Sequence, residues 1–352
     1  MTDPDLGLLQ ELLNAYGPCG AEDDVREVCR RELEPLADEV WVDPAGNLVG
    51  VLRGGDAPAI RVMAHLDELS MIVKRVERDG SLHVTQLGTM YPGNFGLGPV
   101  AILGDHETLC GVLTLGSEHT TQESRRIWET KPDQGDQAMD WQHVYVFTGL
   151  RAEELKAAGV HLGTRVCVHQ SKRTLIEFGD YLGSYFMDDR APAAALLRAM
   201  RLLTQQGITP AGDLYAVFTT NEEIGGIGGS YASRTLPGDL TIALEVGPAE
   251  AEYATTCSGG PIVAYSDAEC VYDKAVADAL MAVAAERDLA PQAAVLGAFE
   301  SDASHSKQNG LAARAGLLCI PTLSTHGYEV IKRDAIDGMA DVLTGFLGRS
   351  VS

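Results

Sequence analysis

A chain of 352 residues, 45% hydrophobic and 22% charged, lies near the averages of soluble globular proteins at a length that favours about two domains. That composition excludes an intrinsically disordered or fibrous chain. Its 50 acidic residues against 27 basic ones leave a formal charge of −23, which withdraws electrostatic support for a nucleic-acid partner.

The opening MTDPDLG has neither the basic start nor the apolar stretch of a secretory signal, and no run approaches ~18 apolar residues, so the expectation is a cytoplasmic chain with no membrane span. Leucines at helical spacing between Asp5 and Tyr16 predict a first helix, and AEDDVREVCRRELEPL a second after a Gly-Pro-Cys-Gly break. WVDPAGNLVGVLRG and AIRVMAHLDELSMIVKRV then read as β runs, the latter nearly continuous in apolar residues. Short alternating strands separated by glycines follow, from SLHVTQLG to TLIEFGDYLG. They suggest a small β-barrel or sandwich, broken by one helix, LRAEELKAAGV, and by a polar loop, SEHTTQESRRIWETKPDQGDQAMDW. Helix and strand alternation returns after Arg190, through APAAALLRAMRLLTQQG, DLYAVFTT, DLTIALEV, DKAVADALMAVAAERDL and AGLLCIP, to a last helix from Val330 to Leu347. The fold class expected is α/β, a mixed, mostly parallel sheet with helices on both faces, over residues 1–74 and 182–352. A small inserted β-barrel or sandwich occupies 75–181. The seven cysteines are scattered, odd in number and without a C-x-x-C pair, so they read as reduced, mostly buried thiols.

Ligands of open α/β sheets gather beyond the carboxyl ends of the strands. Five apolar runs end there in possible metal ligands: His65 and Asp67, Asp188 and Asp189, Glu222 and Glu223, Glu245, and His326. Two imidazoles with at least three carboxylates form the donor set of a two-metal hydrolytic site. Each signal has a bland alternative: a strand-end histidine and a turn aspartate for His65 and Asp67, a helix N-cap and surface ion pair for Asp188-Asp189-Arg190, a loop histidine for His326. The pair Glu222-Glu223 is more telling, because adjacent carboxylates at the end of an apolar strand repel unless a cation sits there, and the glycines at 225, 226, 228 and 229 suggest a tight turn rather than a solvated helical face. Glu245, inside TIALEV, needs a partner if buried.

Five strings, MAHLDELSMIV, YFMDDRAPAAALL, TTNEEIGGIGG, TIALEVGPA and IPTLSTHGYEV, resemble in order and spacing the glutamyl and deblocking aminopeptidases, co-catalytic metallopeptidases that assemble as tetrahedral particles. The likeness extends to GPCGAEDDVREV, DPAGNLVG and ESDASHSKQNG. It implies a zinc-peptidase-like fold and the removal of N-terminal residues from short peptides with a free N-terminus. Two divalent ions are implied, Zn²⁺ or Co²⁺ with Mn²⁺ as a variant. His65, Asp188 and Glu245 would hold one ion and Asp188, Glu223 and His326 the other. Asp67 would orient His65, and Glu222 would be the general base. The resemblance also implies a homo-oligomer, up to a dodecamer built from dimers through the inserted domain, and a cis peptide between Asp188 and Asp189. Three positions depart from the family pattern: Glu245 where Asp is usual, Leu323-Ser324-Thr325 before His326 where Arg-Tyr-Ile is frequent, and Ala191-Pro192 where Gly follows the DDR-type motif.

Endoglucanase-type labels among related chains make glycoside hydrolysis by paired carboxylates the rival enzyme reading. It explains His65 and His326 poorly, and 6% aromatics with three tryptophans offer no extended sugar platform. A catalytically silent metal-holding oligomer is the third reading; it would have no use for Glu222.

Overall fold

In the computed structural model, which describes residues 3–133 and 135–349, the chain divides into two compact units. One comprises the residues up to Glu68, Leu175–Thr325 and those from Glu329 on; the other comprises Leu69–Thr174 with His326–Tyr328.

The first unit is organised by a mixed eleven-stranded sheet. Its path runs Glu39–Val42, Leu48–Leu52, Gly212–Thr219, Ala57–His65, Leu240–Pro248, Arg314–Leu323, Tyr328–Lys332, Tyr181–Tyr185 and Ile176–Phe178, and Ile262–Ser266 and Gln292–Val295 branch from Arg314–Leu323. The four strands at its centre, Gly212–Thr219 to Arg314–Leu323, are mutually parallel, and antiparallel pairings flank them. Parallel strands covered on both faces must be apolar on both, which is why these runs read as nearly continuous hydrophobic stretches. Met63, Val217 and Ala232 share one cluster, and Ala243, Leu317 and Ala303 another, so helices Ile227–Thr235 and Asp302–Gln308 cover this face. Alternation turns Val62, Ile242 and Leu244 to the opposite face, and helix Met187–Gln206 packs on the strands that carry them. The alanines of that helix, Ala191, Ala193, Ala194 and Ala195, are all buried, and their small side chains permit close approach to the sheet. Asp188 and Asp189 have non-helical backbone angles, so regular helix starts at Arg190 and Pro192 falls in its first turn, where its missing N–H costs nothing.

The second unit is a closed six-stranded barrel in the order Ser70–Val76, Leu82–Leu87, Tyr145–Phe147, Thr108–Thr114, Gly98–Leu103, Arg165–Val168. Inward residues such as Met71, Val73, Val84, Val100, Ile102, Val146 and Val166 fill it, and closure leaves no exposed sheet edge.

Four expectations need correction. The run AIRVMAHLDELSMIV is two strands, Ala57–His65 and Ser70–Val76, the second of which pairs with Leu82–Leu87 and Arg165–Val168. The insertion therefore starts at Leu69 and ends at Thr174 rather than spanning 75–181, because the hairpin Ile176–Phe178 with Tyr181–Tyr185 belongs to the large sheet. The last helix is Ala335–Leu347; Val330 and Ile331 lie in a strand paired with Leu323 and Thr322, as β-branched neighbours favour. The polar loop contains a short helix, Arg125–Trp128, and is anchored by buried Ile127 and by Trp141, whose Nε1–H donates to the Met90 carbonyl at 3.1 Å. No disulfide joins the cysteines; five are buried, Cys270 is intermediate and Cys110 exposed. Among the described residues no helix is long and apolar enough to cross a membrane.

Candidate metal centre

The parallel centre of the sheet brings its carboxyl ends to one edge. His65 is the last residue of its strand and pairs in register with Thr219; Glu245 lies on the neighbouring strand two places beyond the Met63–Ala243 pair. His65 Nε2 is 3.0 Å from Asp188 Oδ1 and 3.9 Å from Glu245 Oε2. One ligand atom from each of His65, Asp188, Asp189 and Glu245 lies within 4.8 Å of all the others. The Asp188–Asp189 peptide is cis. Asp189 Oδ2 accepts the His65 amide at 2.8 Å, and the Asp188 amide donates to Glu329 at 3.1 Å.

These residues fit a divalent cation. Donors bound tetrahedrally at ~2.0–2.1 Å stand about 3.3 Å apart, between the two separations seen around His65 Nε2. The imidazole is correctly presented: Nδ1–H donates to the Asp67 carbonyl at 3.0 Å, which leaves Nε2 facing the carboxylates. Asp189 Oδ1 is buried and has no hydrogen-bond partner among the described residues, a costly arrangement unless a positive group compensates it. Without one, burial raises the Asp189, Glu222 and Glu245 carboxyls well above the usual range, and neighbouring carboxylates reinforce the rise. Burial also pulls down the His65 pKa, but Asp189, Asp188, Asp67 and Glu245 outweigh it and push the imidazole well above its ordinary value. The cluster thus draws a positive charge to its centre. A divalent ion would satisfy it with every carboxylate ionised.

Glu222 and Glu223 sit three and four residues past strand Gly212–Thr219, partly buried. Oxygens of Glu223 and Asp188 lie within 4.8 Å of one another. The Asp67 carboxylate, expected to orient His65, stands 3.6 Å from Nδ1, while its two oxygens accept the Glu222 and Glu223 amides at 2.9 and 3.1 Å. Burial opposes ionisation of Asp67, yet His65 and these amides overcome it and keep its pKa low. Gly225 and Gly226 both donate to the Glu222 carbonyl, and Gly228 and Gly229 lie in the first turn of the following helix. His326 belongs to the barrel unit, where its Nδ1–H donates to the Thr89 carbonyl at 3.0 Å.

The large unit thus brings His65, Asp67, Asp188, Glu222, Glu223 and Glu245 together. The bland alternative of a surface ion pair at Asp188-Asp189-Arg190 fails, since Arg190 is fully buried and binds Glu68 at 2.7 Å. Asp189, a candidate from sequence to which the family resemblance assigns no metal, joins the donor group; residues not anticipated are Asn47 and Asp302, whose Oδ2 accepts the Thr219 hydroxyl and whose carboxyl burial pushes up to about 6. A Cβ on Gly229 would stand 2.3 Å from Asp302 Oδ1. The glycine-rich run was the one visible sign that something packs closely there.

The chain matches the family described as M42 glutamyl aminopeptidase over residues 46–342, a span that includes every candidate ligand. It is similar to the lysyl aminopeptidase of Pyrococcus furiosus, 26% identical over 245 residues that cover 69% of this chain and 66% of that protein. Its fold is similar to the TET aminopeptidase of Thaumarchaeota archaeon SCGC AB-539-E09, with 24% identity, a TM-score of 0.89, and coverage of 99% of this chain and 97% of that one. It is also similar to the TET1 peptidase of Pyrococcus horikoshii, which can assemble into a tetrahedron or a large octahedral shell; here identity is 20%, TM-score 0.83, and coverage 97% and 99%.

Proposed function

The chain belongs to the M42 glutamyl aminopeptidase family, and from that premise we propose that it removes the N-terminal residue of short peptides with two divalent ions and a glutamate base. The observation that carries this reading is the cluster of buried His65, Asp189 and Glu245 with half-buried Asp188, whose Asp189 Oδ1 has no hydrogen-bond partner among the described residues, beside the Glu222-Glu223 pair. His65, Asp188 and Glu245 would hold one ion, and Asp188, Glu223 and His326 the other, with Asp188 shared. Zn²⁺, Co²⁺ or Mn²⁺ suits this donor set. When bound, such ions acidify a coordinated water and polarise the scissile carbonyl.

The rest falls to the chain's own side chains. Glu222 takes the proton of the attacking water and returns it to the departing amine; desolvation makes its carboxylate a stronger base than an exposed one. Asp67 holds the backbone that carries Glu222 and Glu223. Asp189 holds the His65 backbone amide, and the Asp67 carbonyl fixes which imidazole nitrogen faces the carboxylates. The N-terminal amine of the peptide meets an acidic surround, which favours its protonated or metal-seeking form over a blocked end.

The test is hydrolysis of a free-amine peptide and its N-acetylated twin by chelator-stripped protein, with Zn²⁺, Co²⁺ or Mn²⁺ restored. Metal-dependent release of the first residue from the free peptide alone is the expected result. Cleavage of both peptides would replace the reading with a deblocking or endopeptidase activity, and release of reducing sugar without metal would favour glycoside hydrolysis. We further propose a homo-oligomer, up to a dodecamer, with the barrel unit mediating subunit contacts. Native mass measurement should find an assembly of many subunits; a monomer at micromolar concentration would refute it.

A further inference from the structure

The loop that carries Glu222 and Glu223 leaves the sheet at Thr219 and returns as helix Ile227–Thr235. Asn221 inside it has φ 54°, a left-handed conformation that a non-glycine residue keeps only where its surroundings enforce it. One side chain ties the two ends of this loop. Asn47, fully buried, accepts the Thr220 amide on Oδ1 at 3.0 Å and donates from Nδ2 to the Gly228 carbonyl at 3.0 Å. Its amide orientation is set by Asp43, whose Oδ2 receives Nδ2 at 2.8 Å while its Oδ1 accepts the Ala45 and Asn47 amides. Thr220 and Gly228 are also joined directly, the Gly228 amide donating to the Thr220 carbonyl at 2.9 Å. The fit allows no side chain at 228: a Cβ there would stand 2.4 Å from Asn47 Oδ1.

We propose that Asn47 is a positioning residue, a clamp that closes the 220–228 loop and so fixes where Glu222 and Glu223 project. It touches neither acid and carries no charge, so its effect passes through the backbone. The proposal rests on the reading of Glu222 as the base and Glu223 as a ligand. Hydrophobic packing of the sheet is independent of it, because Asn47 precedes strand Leu48–Leu52 and contributes no apolar surface.

Hydrogen exchange on the metal-loaded protein, together with steady-state kinetics on a free-amine peptide, tests the clamp in Asn47→Ala. Amides of residues 220–229 should exchange about tenfold faster or more, with those of Gly212–Thr219 and Leu240–Pro248 unchanged. At saturating metal, the value of kcat should fall ~10–100-fold, with KM within about threefold, as misplaced catalytic groups require. Parent-rate exchange in 220–229, uniformly faster exchange across the sheet, or an unchanged kcat in a loosened loop would each overturn the proposal. If Asn47→Ala does not fold, Asn47→Ser, neutral and still able to hydrogen-bond locally but too short to reach both Thr220 and Gly228, is read the same way. A parent protein that cleaves no peptide sinks the peptidase reading, while the exchange result still decides the clamp.

Discussion

Glu222→Gln should bind its metal ions normally and lose turnover by about 10²–10⁴-fold, the range that a positioned general base contributes. The amide has the same shape, and the Glu222 backbone N–H that Asp67 holds is untouched, so the loop stays in place. What disappears is a group able to accept a proton. Since no ligand is lost, metal content by emission spectrometry should match the parent, and KM should change little. A variant with more than about a tenth of parental kcat would remove Glu222 from this role. Glu223→Gln offers the contrast: it alters a proposed ligand, so metal content should fall along with rate.

Arg190→Met should destabilise the fold by about 3–5 kcal/mol, the usual consequence of removing one partner from a buried ion pair. Both Arg190 and Glu68 are fully buried and meet at 2.7 Å. The guanidinium also donates from Nε to the Leu12 carbonyl at 3.1 Å and from a terminal nitrogen to the Leu66 carbonyl. It thus joins the first helix, the segment after His65 and the start of the helix after Asp189. Methionine fills much of the volume but removes the Arg190 hydrogen bonds to two carbonyls and to the Glu68 carboxylate. Denaturant unfolding should show a lower midpoint at an unchanged slope, and a loss under about 1 kcal/mol would contradict the argument.

Most parts of the site that could be read from sequence share a single signal, a polar residue ending an apolar run. His65, Glu222 and Glu223 satisfy it at the carboxyl ends of central parallel strands and Asp188 just after strand Tyr181–Tyr185, while Glu245 shows as a charge interrupting the apolar run of Leu240–Pro248. Asn47 and Asp302 carry neither mark. Asn47 sits in a turn composition, DPAGN, where asparagine needs no further explanation, and Asp302 opens a polar seven-residue helix. Their roles depend on partners 173 residues away for Asn47 and 83 for Asp302, and local pattern carries no information about such pairings. The insertion boundary shifted for a related reason: residues on both sides of the His65–Leu69 break are buried and apolar, so hydrophobicity does not mark where one unit stops. The burial of Arg190 is invisible in the sequence for the same reason, because an arginine after two aspartates is usually solvated and only the approach of Glu68 from 122 residues earlier makes it interior.

That separation has a consequence for synthesis. His65 is made before the barrel unit, Asp188 and Glu223 after it, and Glu245 and Asp302 later still. A chain emerging from the ribosome therefore carries no fragment of contiguous sequence with a complete set of donors, and strand Leu240–Pro248 must insert beside Ala57–His65 before the first of them can close. Parallel pairings of such long range form late in folding. On the proposed assignment of the donors, the site cannot form until these distant segments have been translated and packed together.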